Sequence, residues 1–130
     1  MPIQIALLAL IAAACTYIYF IGQQTGRRAA PLICISAGAS LGAAMASYWL
    51  VCIALDMMCL FGFVVVAGKC AGKWPIYCAG LQLAKLTTHI AAWIISDVSA
   101  FVYLALLELW VLLMLAFAVY GIWADRRLAR

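Results

Sequence analysis

Between Leu32 and Gly68 the chain carries a single charged side chain, Asp56. As one helix this stretch would be on the order of 55 Å long, nearly twice the roughly 30 Å thickness of a bilayer's hydrocarbon core. Such a run has to double back on itself within an apolar surrounding. The remainder of the chain has the same bias. It is 71% hydrophobic and 9% charged, with a mean hydropathy of +1.19, whereas soluble domains are about half apolar and about a quarter charged. A soluble globule of this size would lack the polar groups to cover its surface, and disordered chains are poor in aromatic and aliphatic residues. The expected fold class is an all-α integral membrane protein, with residues 1–130 forming one multi-pass domain, no extramembrane domain, and the lipid bilayer as its first partner.

The segment from Ile3 to Gly22 is free of charge and long enough to cross once. A cleaved signal peptide is the rival reading, with Ala12-Ala13-Ala14 as the small-residue site before Cys15, but no Lys or Arg precedes the apolar run as a signal sequence requires. Residues 23–31 read as a polar loop ending in Pro31. The long apolar stretch is divided at Ser47-Tyr48-Trp49, because aromatic residues favour the membrane interface. A rival division makes Pro31 to Gly42 a re-entrant piece followed by one tilted helix. Lys69 to Gly80, with Gly72, Trp74 and Pro75, reads as a loop, and Ser96-Asp97-Val98-Ser99 breaks the final run. The expected helices lie near 3–22, 31–47, 50–68, 80–95 and 100–123, with a basic tail at 124–130.

Eight basic residues give a net charge of +4. Seven lie in three clusters, Arg27/Arg28, Lys69/Lys73 and Arg126/Arg127/Arg130, while Lys85 lies inside an apolar run. Small clusters between apolar segments read as membrane flanks. Nucleic acid, which needs a continuous basic face, is not an expected partner. Five crossings with an outside amino terminus put all three clusters on the cytoplasmic side, as the positive-inside rule asks. Four crossings, which strand at least one cluster, and three, near 3–22, 43–67 and 98–122, which strand only Lys69 and Lys73, stay open beside the expected bundle of about five. The expected location is the inner membrane of a bacterial or phage-infected cell.

Charge at the centre of a membrane helix costs about 2.5–3.5 kcal/mol on insertion scales, so such groups are paired, neutral or functional. Glu108 falls about 12 Å and Asp56 about 9 Å below the outer ends of their helices. His89 sits at similar depth, with Lys85 one turn away on the same face. The expectation is a polar cluster of Asp56, His89, Glu108 and Lys85, read either as a proton or cation path or as interhelical glue. Gly38 and Gly42, followed by Ala46, offer a small-residue face for close packing within the chain or against other subunits. Two segments, Ser47 to Asp56 and Ser99 to Glu108, share a serine, eight apolar residues and an acid, the pattern a duplicated hairpin would leave.

The six cysteines form no Cys-x-x-Cys pair, which removes zinc-ribbon and thioredoxin-like chemistry, and they are expected to be thiols that pack as small apolar groups. No metal site is expected. His89-Ile-Ala-Ala-Trp93, followed by Asp97, resembles a stretch of the small haem- and quinone-binding anchor subunits of succinate dehydrogenase, which would imply haem ligation by His89 with a second ligand from another chain. Apart from that alternative no cofactor and no catalytic site is expected. The functional expectation is a homo-oligomeric pore or carrier for protons, ions or small solutes. The alternatives are an accessory subunit of a larger membrane complex and a pore similar to bacteriophage holins, which the chain resembles in size, outside amino terminus and short basic tail.

Overall fold

The computed structural model describes residues 2–43, 49–70, 72–95 and 97–128. Five helices follow in order: α1 (Pro2–Ile21), α2 (Gln23–Ala43), α3 (Trp49–Lys69), α4 (Trp74–Ile94) and α5 (Ala100–Leu128). No strand forms among the described residues.

Three boundaries depart from expectation. Residues 23–31 are helical, so α2 starts at Gln23 and carries Pro31 inside it. Pro31 lacks only its own N–H, and it is exposed two turns from the helix start, where the freed carbonyl can reach solvent. Likewise Pro75 lies in the first turn of α4 and initiates that helix at Trp74, where a proline's missing donor is not needed. The expected tail at 124–130 continues α5 as far as Leu128, with Arg127 stacked 3.8 Å from the centre of the Trp123 ring. The break expected at Ser47-Tyr48-Trp49 falls mostly outside the described residues, and α3 starts at Trp49.

One residue, Gly22, separates α1 from α2. Its amide donates to the Ile18 carbonyl at 2.9 Å, and a Cβ there would lie 2.5 Å from that same oxygen. Gln23 then takes a φ of 52°, and the chain reverses. Each consecutive pair of helices is in contact and antiparallel, as Cys59 against Leu32, Asp56 against Lys85 and Cys78 against Met114 mark out. The ring closes where α1 meets α5, and α2 also packs on α5.

This up-and-down order gathers the α1–α2 turn, the segment from Lys69 to Trp74 and the end of α5 at one end. There Thr25 donates to Cys70 Sγ at 3.1 Å. Arg27, Arg28, Lys69, Lys73, Arg126 and Arg127 all lie exposed toward this basic end. At the opposite end is Asp97, exposed between α4 and α5.

Polarity is not sorted as in a soluble globule. Met58, Phe61, Trp93, Phe101 and Tyr120 are among many large apolar side chains on the outside, whereas Ser36, Asp56, Gln82, Lys85 and His89 are buried. By length and composition, Leu50–Lys69 and Ala100–Leu128 are apolar enough to cross a membrane, and Ile5–Ile21 is a shorter apolar helix. The apolar core lies mainly toward the basic end and reaches Ile11, Ala37 and Val111 near mid-bundle. The buried polar groups run from mid-bundle toward the opposite end.

Candidate functional site

Gln82, Lys85 and His89 recur at spacings of three and four along α4, which puts them on one stripe of that helix. The stripe faces Asp56 on α3 and Ser36 on α2, all of them buried. Lys85 Nζ donates to the Asp56 carboxylate at 2.8 Å, to the Ser36 hydroxyl at 2.9 Å and to the Ser36 carbonyl at 2.6 Å. Three acceptors around one nitrogen match the three donors of an ammonium group. The group is therefore built to hold Lys85 as a cation against Asp56 as an anion.

The second oxygen of Asp56 lies 2.9 Å from His89 Nε2, and the other ring nitrogen, Nδ1, meets the Tyr103 hydroxyl from α5. A carboxylate only accepts, so Nε2 carries a proton, and in the neutral tautomer Nδ1 accepts from Tyr103. Gln82 Nε2 donates to the Asp56 carboxylate at 2.7 Å and to its backbone carbonyl at 3.1 Å. Its Oε1 accepts the Ser36 hydroxyl proton at 2.9 Å, and Ser40 donates to the Ser36 carbonyl at 3.1 Å. Among the described residues every buried side-chain polar atom has a partner. Four helices thus converge on one charge-balanced network, an arrangement whose burial is tolerable only because no donor or acceptor is left over.

Asp56, His89 and Lys85 come together. Glu108 does not join them. It lies half-buried on the side of α5 that faces α1 and α2, in a narrow crevice with Leu7, Ile11, Ala37, Ser40 and Val111. The acids of the two similar segments therefore occupy unlike surroundings. Gly38 is exposed, with nothing within 4 Å of where a Cβ would be, so it makes no close helix approach inside the chain. The surroundings of Gly42 and the whole of Ala46 lie outside the described residues. The tight approach is elsewhere, at Gly121, where a Cβ would lie 2.2 Å from that of Trp74.

Ser36, Gln82 and Tyr103 belong to the network, and the sequence alone does not single them out. Gln82 is within reach of such reasoning, since it extends the Lys85–His89 stripe by one step. Ser36, in a run of small residues, and Tyr103, which reads as an interface aromatic, carry no such signal. Haem ligation by His89 is not available in this arrangement, because both ring nitrogens are engaged by Asp56 and Tyr103. Among the described residues no three His, Cys, Asp or Glu side chains group as a metal site would need. All six cysteines are free, and Cys78, expected in a loop, is buried in α4 with its thiol toward the Met114 carbonyl.

A second polar feature lies at the basic end, a cavity of about 310 Å³ lined by Gln23, Thr25, Asp125 and Arg126, with Trp74 and Ile122 among its apolar walls. No family model, curated protein or solved structure matches the chain.

Proposed function

We propose that the chain is an integral membrane protein of five crossings, with α1 beginning outside and the basic end in the cytoplasm, and that it is a carrier whose buried network binds a proton. The observation that carries this reading is a charged network enclosed by an apolar exterior. In water, soluble monomers rarely expose contiguous apolar patches beyond a few hundred Å², and large apolar side chains lie exposed along α1, α3, α4 and α5, with Ile35 on α2. In lipid the same surface is at home. The gathering of six exposed basic residues at one end supports the orientation.

Hydrogen-bonding glue needs only neutral groups. A carboxylate, an ammonium and an imidazole held together in the interior suit proton binding instead. A proton from solvent arrives on the Tyr103 oxygen as Tyr103 passes its own proton to His89 Nδ1, and the Nε2 proton moves to Asp56 Oδ2. Asp56 becomes neutral, His89 is left neutral with its proton on Nδ1, and Lys85 loses its counter-charge. Binding one proton therefore changes the network from neutral to +1 and weakens what holds α2, α3 and α4 together. That is a means of coupling proton binding to helix movement and to passage of a small cation or solute.

The network is complete within one chain, which favours a carrier over a pore built between copies. The test is proton flux in vesicles containing the purified protein and an internal pH dye. Wild-type protein is expected to collapse an imposed pH gradient, and Asp56→Asn to reduce flux to that of empty vesicles. Wild-type flux no greater than that of empty vesicles would refute the carrier and leave the accessory-subunit reading.

A further inference from the structure

The network lies off-centre along the bundle. From Asp56, α3 runs about 10 Å to Trp49 but about 20 Å to Lys69. On α4 the three network residues straddle the middle, with Gln82 about 12 Å from the start at Trp74 and His89 about 8 Å from the end at Ile94. Tyr103 lies in the first turn of α5.

The two directions out of the network differ in kind. Toward the basic end the interior is one packed apolar cluster that includes Ile33, Phe63, Cys78, Met114, Trp74 and Ile122. The polar cavity at that end reaches Trp74 and Ile122, members of the same cluster. Toward the opposite end the hydrogen-bonded chain Asp56–His89–Tyr103 leads outward. Tyr103 is half-exposed, while Ser36, Asp56, Gln82, Lys85 and His89 are buried.

We propose that the network exchanges protons with the compartment at the end opposite the basic clusters, with Tyr103 as the relay, and that the apolar cluster around Phe63 and Met114 closes it to the basic end. This rests on the proton-binding reading of the network. A continuous file of O–H and N–H groups transfers protons, and a region filled to native density with carbon and sulfur does not. The ionisable groups facing His89 are Asp56 from α3, Lys85 along α4 and Tyr103 from α5, with the Cys52 thiol one turn from Asp56. Ser36 and Gln82 do not ionise.

His89 is the only histidine in the chain, so imidazole ¹⁵N resonances report on this site alone. The full chain, ¹⁵N-histidine labelled, is placed in strongly buffered vesicles whose protein orientation is read by trypsin cleavage at Arg126 and Arg127. The pH is then stepped on one side at a time. The resonances are expected to follow a step on the Tyr103 side at once and a step on the basic side only as slowly as the carrier turns over, and Tyr103→Phe, which keeps the ring and removes the hydroxyl, to slow the Tyr103-side response at least tenfold. A faster response to the basic side, an equal response to both, or an unchanged rate in Tyr103→Phe overturns the proposal. The wild-type comparison involves no variant, so it holds even if Tyr103→Phe misfolds. One-sided response without flux would sink the carrier and leave the access route standing. Flux with a faster response from the basic side would do the reverse.

Discussion

Replacing Asp56 with asparagine keeps the shape of the side chain and removes its charge. Lys85 then retains three acceptors but loses the only anion beside it, in a position with no solvent exposure. The new amide also turns a donor toward the Nε2–H of His89. Removing one member of a buried ion pair costs about 3–5 kcal/mol, whereas a lone hydrogen bond between membrane helices averages about 0.6 and reaches about 1.7 kcal/mol. Charge, not hydrogen-bond count, therefore dominates. Asp56→Asn is expected to shift the folding equilibrium by about a hundredfold to several thousandfold at about 1.4 kcal/mol per decade. Lys85→Met should lose a comparable amount, since it strands the carboxylate. The double variant Asp56→Asn/Lys85→Met removes both charges and should be at least about 2 kcal/mol more stable than the sum of the singles implies. Reversible unfolding in mixed detergent micelles, followed by helical circular dichroism, measures all three. A loss below about 1 kcal/mol for Asp56→Asn, or additive losses in the double variant, would refute the account.

Packing and placement set the remaining outcomes. Gly121→Ala must displace Trp74, whose Cβ and Cγ would lie 2.2 and 2.4 Å from the new Cβ, and should destabilise the fold by about 1–3 kcal/mol in the same unfolding assay. Gly80→Ala meets nothing within 4 Å and should leave stability unchanged or raise it by up to about 1 kcal/mol. Glu108→Gln, outside the network, should retain at least half of the wild-type vesicle flux, and a loss as complete as that of Asp56→Asn would place Glu108 back on the path.

The number of helices and the positions of the polar residues along them are legible in the sequence, because both depend on distances along the chain. Direction around a helix is not. Glu108 and Tyr103 are five residues apart on α5, which turns them about 140° from one another at 3.6 residues per turn. One thus faces α1 and α2 while the other meets His89, and depth alone cannot separate them. The starts of α2 and α4 are obscured because Gly26, Pro31, Gly72 and Pro75 mimic loop composition. Pro75 in fact fits a first helical turn, and Pro31 sits on an exposed face. Ser36 is illegible since its role comes from a carbonyl and a hydroxyl that only the approach of α4 reveals.

The separation of the network over four helices has a consequence for how the protein is made. Neither α2 nor α4 is among the helices apolar enough to cross a membrane alone, and these two carry Ser36, Gln82, Lys85 and His89. With one residue between them, α1 and α2 would enter a bilayer as a single hairpin. Synthesis then delivers Asp56 on α3 before Lys85 and His89 exist, so the acid waits without its partners for α4. On the membrane reading, a chain interrupted between Lys69 and Trp74 would leave Asp56 without Lys85 and favour its neutral, protonated form.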